Sequence, residues 1–199
     1  MKKLLEEYQL QKEKIQLRLN EFKTLTEKQQ FQEFLFCLLT PQSNAQRCWQ
    51  AVEQISLLPS LNYNSIFNIL KIKTRFHKTK TKRILQANKT WKIITAYLNN
   101  PNRRELRNLI AKTVNGYGLK ESAHFLRNIG KSDNQIAILD RHILKNLHNL
   151  DLIKENKVKS KRHYEEIENI FLNFAKSINI PPDELDLLWW SQENGEIFK

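Results

Sequence analysis

A chain of 199 residues has room for one domain or two small lobes, and burial of roughly 70% of its unfolded surface allows a true core. Apolar residues at 40% and aromatics at 10% exclude a disordered tail. The 33 Lys plus Arg against 21 Asp plus Glu give a formal charge of +12, which favours a polyanionic partner such as nucleic acid or an acidic membrane surface. Two cysteines, Cys37 and Cys48, cannot hold a four-cysteine iron–sulfur cluster, and no close Cys or His spacing points to zinc. They read as buried thiols in a reducing cytoplasm. The longest apolar run, Phe34 to Leu39, falls far short of the roughly 20 residues that span a bilayer. The start, MKKLLEEY, carries charges where a signal peptide has its apolar stretch. The expectation is a soluble cytoplasmic protein with no metal and no cofactor.

In chain order, the spacing predicts helices almost throughout. A charged amino-terminal helix covers about residues 1–22, with Leu4, Leu5, Leu10, Ile15 and Leu19 expected to pack on later elements. Phe31, Phe34, Leu35 and Leu38 form the next stripe. Thr40-Pro41-Gln42-Ser43-Asn44 is a loop, and Asn44 is placed to cap a helix bearing Cys48, Trp49, Val52 and Ile55. A further stripe runs through Ile84, Ala87, Trp91, Ile94 and Leu98. Pro101 precedes a helix that restarts near Arg103. Tyr164, Ile167, Ile170, Phe171, Phe174 and Ile178 form the last long stripe, and Pro181-Pro182 opens a short helix through Trp190. Strict alternation is absent, so the fold class is all-α.

Three of the four glycines, Gly116, Gly118 and Gly130, fall within fifteen residues. A helix from Arg104 to Lys112 precedes Gly116-Tyr117-Gly118, and another from Leu119 to Asn128 follows. Helix, Gly-x-Gly turn, helix is the pattern of a helix–hairpin–helix. Its glycines adopt positive φ and approach a phosphate, which meets the N–H groups at Gly116, Gly118 and Lys120. The plainer reading is a helical hairpin with a glycine C-cap. Lys120 tells against it, because a basic residue is disfavoured in a helix's first turn. Twenty residues on, the apolar stretch Ile136 to Leu139 meets Asp140, a carboxylate placed to cap a new helix. Taken together, Lys120 and Asp140 have the form of an amine nucleophile and its carboxylate partner.

Residues 113–147, TVNGYGLKESAHFLRNIGKSDNQIAILDRHILKNL, strongly resemble the helix–hairpin–helix and Gly-rich-loop-plus-Asp region of DNA base-excision glycosylases. They are most similar to the second, mainly archaeal and bacterial, family of 8-oxoguanine DNA glycosylase/lyases. The resemblance extends to Leu38-Leu39-Thr40-Pro41-Gln42-Ser43-Asn44-Ala45, to Arg75-Phe76, and to Leu188-Trp189-Trp190 with the terminal Asn-Gly-Glu-Ile-Phe-Lys. It covers about residue 28 to the last residue. The loop between Gly130 and Asp140 is about two residues longer than the family pattern.

The resemblance implies two helical lobes with the active site in the cleft between them. One lobe is about 25–125, leading into the hairpin, and the other is about 1–22 plus 135–199. It implies that Lys120 attacks sugar C1′, displaces the base and forms a Schiff base. β-Elimination then nicks the strand, with Asp140 stabilising positive charge on the sugar. Phe76 and Trp190 would sandwich the extruded base, although Trp189 competes with Trp190 for that register. Lys199 would read the base, by its terminal carboxylate or its side chain, since 8-oxoguanine differs from guanine by an N7–H donor and O8. Gln42, Ser43 and Asn44 lie where related enzymes insert side chains into the duplex gap. Double-stranded DNA is the expected partner and a monomer the expected state. Basic residues from Lys71 to Arg83 and from Lys154 to His163 are solvated faces or a phosphate track. Three alternatives remain: a glycosylase for oxidised pyrimidines resembling endonuclease III, a non-catalytic DNA-binding hairpin, and a basic helical RNA-binding protein.

Overall fold

The computed structural model describes residues 2–199, the side chain of Asn194 excepted. Ten helices and no strand occur among the described residues: α1 (Lys2–Lys23), α2 (Glu27–Leu39), α3 (Ala45–Ser56), α4 (Tyr63–Lys73), α5 (His77–Thr95), α6 (Arg103–Thr113), α7 (Leu119–Asn128), α8 (Arg141–Asn149), α9 (Lys161–Ser177) and α10 (Pro182–Asn194). They form two compact units. One is Leu25–Phe125; the other joins the first 24 residues to Leu126–Lys199.

The core of the 25–125 unit is built on α2. Seven successive residues, Glu33 to Leu39, are buried, as expected of a helix enclosed on all sides. Phe34 lies 5.5 Å from Trp91, 5.4 Å from Tyr117 and 5.7 Å from Phe125, ring centre to ring centre. Four helix starts in this unit are set by side chains. Thr26 and Gln29 form a reciprocal capping box on α2. Asn44, Asn62 and Asn102 each accept a main-chain N–H at the start of α3, α4 and α6, worth about 1 kcal/mol apiece. The expected stripes on α2, α3 and α5 are present. Helix α4 was not anticipated: only Ile66 and Leu70 of it are buried, too short a seam to show as periodicity.

In the other unit, α1 packs on α10. Its buried residues are Tyr8, Ile15 and Phe22, a seven-residue seam. Leu10, expected inside, is 82% exposed, and Leu5 is exposed too. The aromatic seam takes the buried face because Tyr8 can pack its ring while its hydroxyl donates to Glu184 Oε2 at 2.7 Å. Trp189 is buried against Phe171 and Phe174 of α9. Helix α10 starts at Pro182, as the proline pair implies. It runs to Asn194 rather than stopping at Trp190, and closes on Gly195 at φ 80°.

Candidate active site

The hairpin between α6 and α7 is held from three sides. Tyr117 N–H donates to Val114 O at 3.1 Å, closing the turn. The Tyr117 hydroxyl donates to Phe34 O at 2.7 Å, fastening it to α2. Gly116 sits at φ 106°, and a Cβ there would lie 2.6 Å from the Arg83 side chain. Both glycines were expected at positive φ, but Gly118 is not. Its requirement is space, since a Cβ would stand 3.1 Å from Glu121 Oε2.

Lys120 is the second residue of α7, and its Nζ lies 2.9 Å from Glu121 Oε1. The other Glu121 oxygen accepts the Gly118 N–H at 3.0 Å. The N–H of Gly118, expected to meet a phosphate, is therefore already engaged. Glu121, which holds both Lys120 and the turn, is a residue that the sequence reading did not single out. The signal was present, an acid three places after the residue that caps α7.

Asp140 caps α8 as its position implies: Oδ1 accepts from His142 N at 2.8 Å and Ile143 N at 2.9 Å. Both bonds use one oxygen, and Oδ2 lies outside the cap. The approach to Asp140 is rigid. Ile136 to Leu139 are buried, Ala137 N–H donates to Glu168 Oε1 at 2.9 Å, and the Tyr164 hydroxyl donates to Ala137 O at 2.6 Å. The loop before them is folded back on α10. Ser132 Oγ donates to Asp183 Oδ2 at 2.7 Å and Asp183 N–H donates to Asn134 Oδ1 at 3.0 Å. Asp140 also has a charged neighbour. Asp186 is pushed up to about 7, by burial first; Arg127, 3.1 Å away, opposes the rise, and Asp140 and Asp183 add to it.

In the same unit Trp190 is half-buried whereas Trp189 lies in the core, so the two tryptophans have different surroundings. The Trp190 ring stands 6.2 Å from Phe198. Arg18 Nε donates to Phe198 O at 2.7 Å, and Lys199 is only 5% exposed: the tail is pinned, not frayed.

Phe76 belongs to the 25–125 unit. It is 54% exposed and has the left-handed φ of 56° at the N-cap of α5, so it is not a core residue. Of the three loop candidates, Asn44 caps α3 and Ser43 Oγ accepts from Arg75 N–H at 3.0 Å. Gln42 is exposed, at φ 55°. Ser43 thus joins the loop to the segment carrying Phe76. Among the basic residues of 71–83, Lys71, Arg75, Lys78 and Lys82 are exposed, but Lys80 is 1% exposed and belongs to the interior. The second basic stretch is paired with its own acids: Lys157 and Lys159 with Glu155, Lys161 with Glu165, Arg162 with Glu166. Among the described residues no group of three or more His, Cys, Asp or Glu could hold a metal ion, and no helix is long and apolar enough to cross a membrane.

Residues 15–180 match the family model described as 8-oxoguanine DNA glycosylase. The chain belongs to this family. A relative from Fusobacterium nucleatum, an 8-oxoguanine DNA glycosylase/AP lyase, is 41% identical over 197 residues, covering 92% of this chain and 89% of its own. The crystal structure of the Methanocaldococcus jannaschii 8-oxoguanine glycosylase/lyase, in complex with a 15mer DNA containing 8-oxoguanine, is 30% identical. It covers all of both chains with a TM-score of 0.88. The 8-oxoguanine DNA glycosylase of Thermotoga maritima, at 28% identity, gives a TM-score of 0.90 over all of this chain and 97% of its own. The all-α fold is therefore the helix–hairpin–helix glycosylase fold of these family members.

Proposed function

We propose that this chain excises 8-oxoguanine from duplex DNA and nicks the resulting abasic site, both through a Schiff base on Lys120. The observation that carries this is a primary amine in the first turn of the helix behind a Gly-x-Gly hairpin, in a chain of this family. A purely DNA-binding hairpin needs no such amine.

The Lys120 nitrogen attacks C1′ as the bond to N9 of the base breaks. The base leaves with the electron pair and takes up a proton. Opening of the sugar ring turns the adduct into a protonated imine, which acidifies C2′. Loss of the C2′ proton expels the 3′ phosphate and cuts the strand; water then frees the lysine. Lys120 leaves Glu121 to reach C1′. Asp140, fixed through Oδ1, supplies the negative charge that stabilises the oxocarbenium-like sugar. Its orientation needs no reorganisation because the cap and the buried strand-like approach already set it.

A base in a duplex reaches such a site only when extruded. Phe76, exposed and rigidly turned, and Trp190 stack on the extruded base, and Lys199 contacts it. Gln42 enters the vacated stack, since Ser43 and Asn44 already serve the loop itself. Exposed Lys71, Arg75, Lys78 and Lys82 follow the phosphates. The protein acts as a monomer on chromosomal DNA in the cytoplasm. Strand scission on duplexes carrying one 8-oxoguanine or one oxidised pyrimidine tests the reading. Cleavage at 8-oxoguanine is expected; cleavage only at the pyrimidine removes the base-pocket assignment.

A further inference from the structure

Lys80 is the one member of the 71–83 basic run with 1% exposure. A buried ammonium is costly unless its donors are all met, and here three acceptors meet it. Nζ lies 2.7 Å from Leu39 O, 2.9 Å from Pro41 O and 2.8 Å from Ser43 Oγ. Leu39 is the last residue of α2, so the ammonium caps that helix's carbonyl end, where a cation is favoured. The Cys48 thiol shares Leu39 O, at 3.2 Å.

These bonds flank one unusual backbone turn, and the helix that carries Lys80 begins at a second. Gln42, between Pro41 and Ser43, is at φ 55°, and Phe76 is at φ 56°. Neither is glycine, and for a bulky residue this conformation is strained and persists only where the surroundings over-determine it. Ser43 Oγ receives both the Lys80 ammonium and the Arg75 N–H. The carbonyl of Phe76 accepts the N–H of Lys80 itself at 3.0 Å. That bond is the first i→i−4 bond of α5, so Lys80 stands one turn beyond Phe76 on the same helix, and its side chain ties that turn to the loop.

We propose that Lys80 is a positioning residue for base extrusion, its buried ammonium holding the Gln42 turn and the Phe76 turn in the fixed relation that gap insertion and base stacking require. The inference rests on the function proposed above, because it gives Gln42 and Phe76 their roles on DNA. Lys80 touches no reacting atom in this account. It acts on excision through the two turns and has no part in the imine chemistry at Lys120. Burial lowers its amine to about 8, with Arg83 and Arg75 adding to the fall and Cys48 opposing it, which agrees with a site built around one desolvated cation.

The test compares two rates under single-turnover conditions for wild type, Lys80→Met and Ser43→Ala. One is base excision from an 8-oxoguanine duplex; the other is borohydride trapping at a preformed abasic site, which has no base to extrude or stack. The expected result is a loss of excision at least tenfold larger than the loss of trapping for Lys80→Met, and a smaller loss of the same kind for Ser43→Ala. Ser43→Ala keeps the two carbonyl bonds, so it decides the matter if Lys80→Met does not fold. Equal losses in both rates with helical content intact overturn the inference, as do unchanged rates. A wild type that traps at abasic sites yet leaves 8-oxoguanine in place sinks the functional reading itself, and this inference with it.

Discussion

Asp140 commits Oδ1 to two main-chain N–H groups, so its cap and the chemical role proposed for it separate by substitution. Asparagine is as good an N-cap as aspartate. Asp140→Asn should cost no more than about 1 kcal/mol of stability while base excision falls about 100- to 1000-fold. Thermal unfolding and single-turnover excision measure the two effects; retained excision would remove Asp140 from the chemistry. Lys80 offers a pH test. Its native value of about 8 lies below the ordinary 10.5, so between these the unfolded chain binds the proton and the native protein does not. Stability then rises with pH through this window and is lost as pH falls through 8. Wild type should gain up to about 3 kcal/mol over Lys80→Met between pH 7.5 and 10.5, read by urea unfolding. A constant difference would show that the ammonium is not held out of water. Its place was legible in one respect: Lys80, Ile84, Ala87, Trp91 and Ile94 continue one stripe at four-three spacing. Charge masked it, because a lysine in a basic run reads as solvated.

At the scale of elements, the hairpin concentrates backbone strain at Gly116. Gly116→Ala forces a side chain onto φ 106° and displaces the Arg83 side chain, costing about 1–3 kcal/mol. Gly118→Ala, with ordinary φ, should cost less. Melting temperatures of the two variants check the order, and the reverse order would contradict the account of the turn. Helices with long apolar stripes and asparagine caps were legible because periodicity and capping are local properties. Two elements were not. Helix α1 carries apolar residues on several faces, and only its partner α10 selects Tyr8, Ile15 and Phe22 over Leu10. Helix α4 buries too little to leave a pattern.

For the whole molecule, the +12 charge was read correctly as favouring a polyanion, but charge alone did not say which cations are available to it. Local pairing separates the two runs, both of which face solvent: Lys71, Arg75, Lys78 and Lys82 are exposed, whereas the exposed Lys157, Lys159, Lys161 and Arg162 each have an acidic neighbour on their own segment, Glu155, Glu165 or Glu166. Substituting Lys78 or Lys82 by alanine should lower the slope of log binding constant against log salt by about one each. Substituting Lys161 should leave the slope nearly unchanged, and the opposite pattern would move the phosphate track to the other unit. The roles proposed for Lys120, Asp140, Phe76, Trp190 and Lys199 rest on a specific motif; no periodicity marks a nucleophile. Glu121 went unseen because a carboxylate beside a lysine resembles any surface pair. The most direct measurement is borohydride trapping on a duplex with a single 8-oxoguanine, comparing wild type with Lys120→Gln. Wild type should cut and cross-link, while the variant binds the same DNA and does neither. Trapping by the variant, or none by wild type on any lesion, would contradict the assignment of Lys120 as the nucleophile.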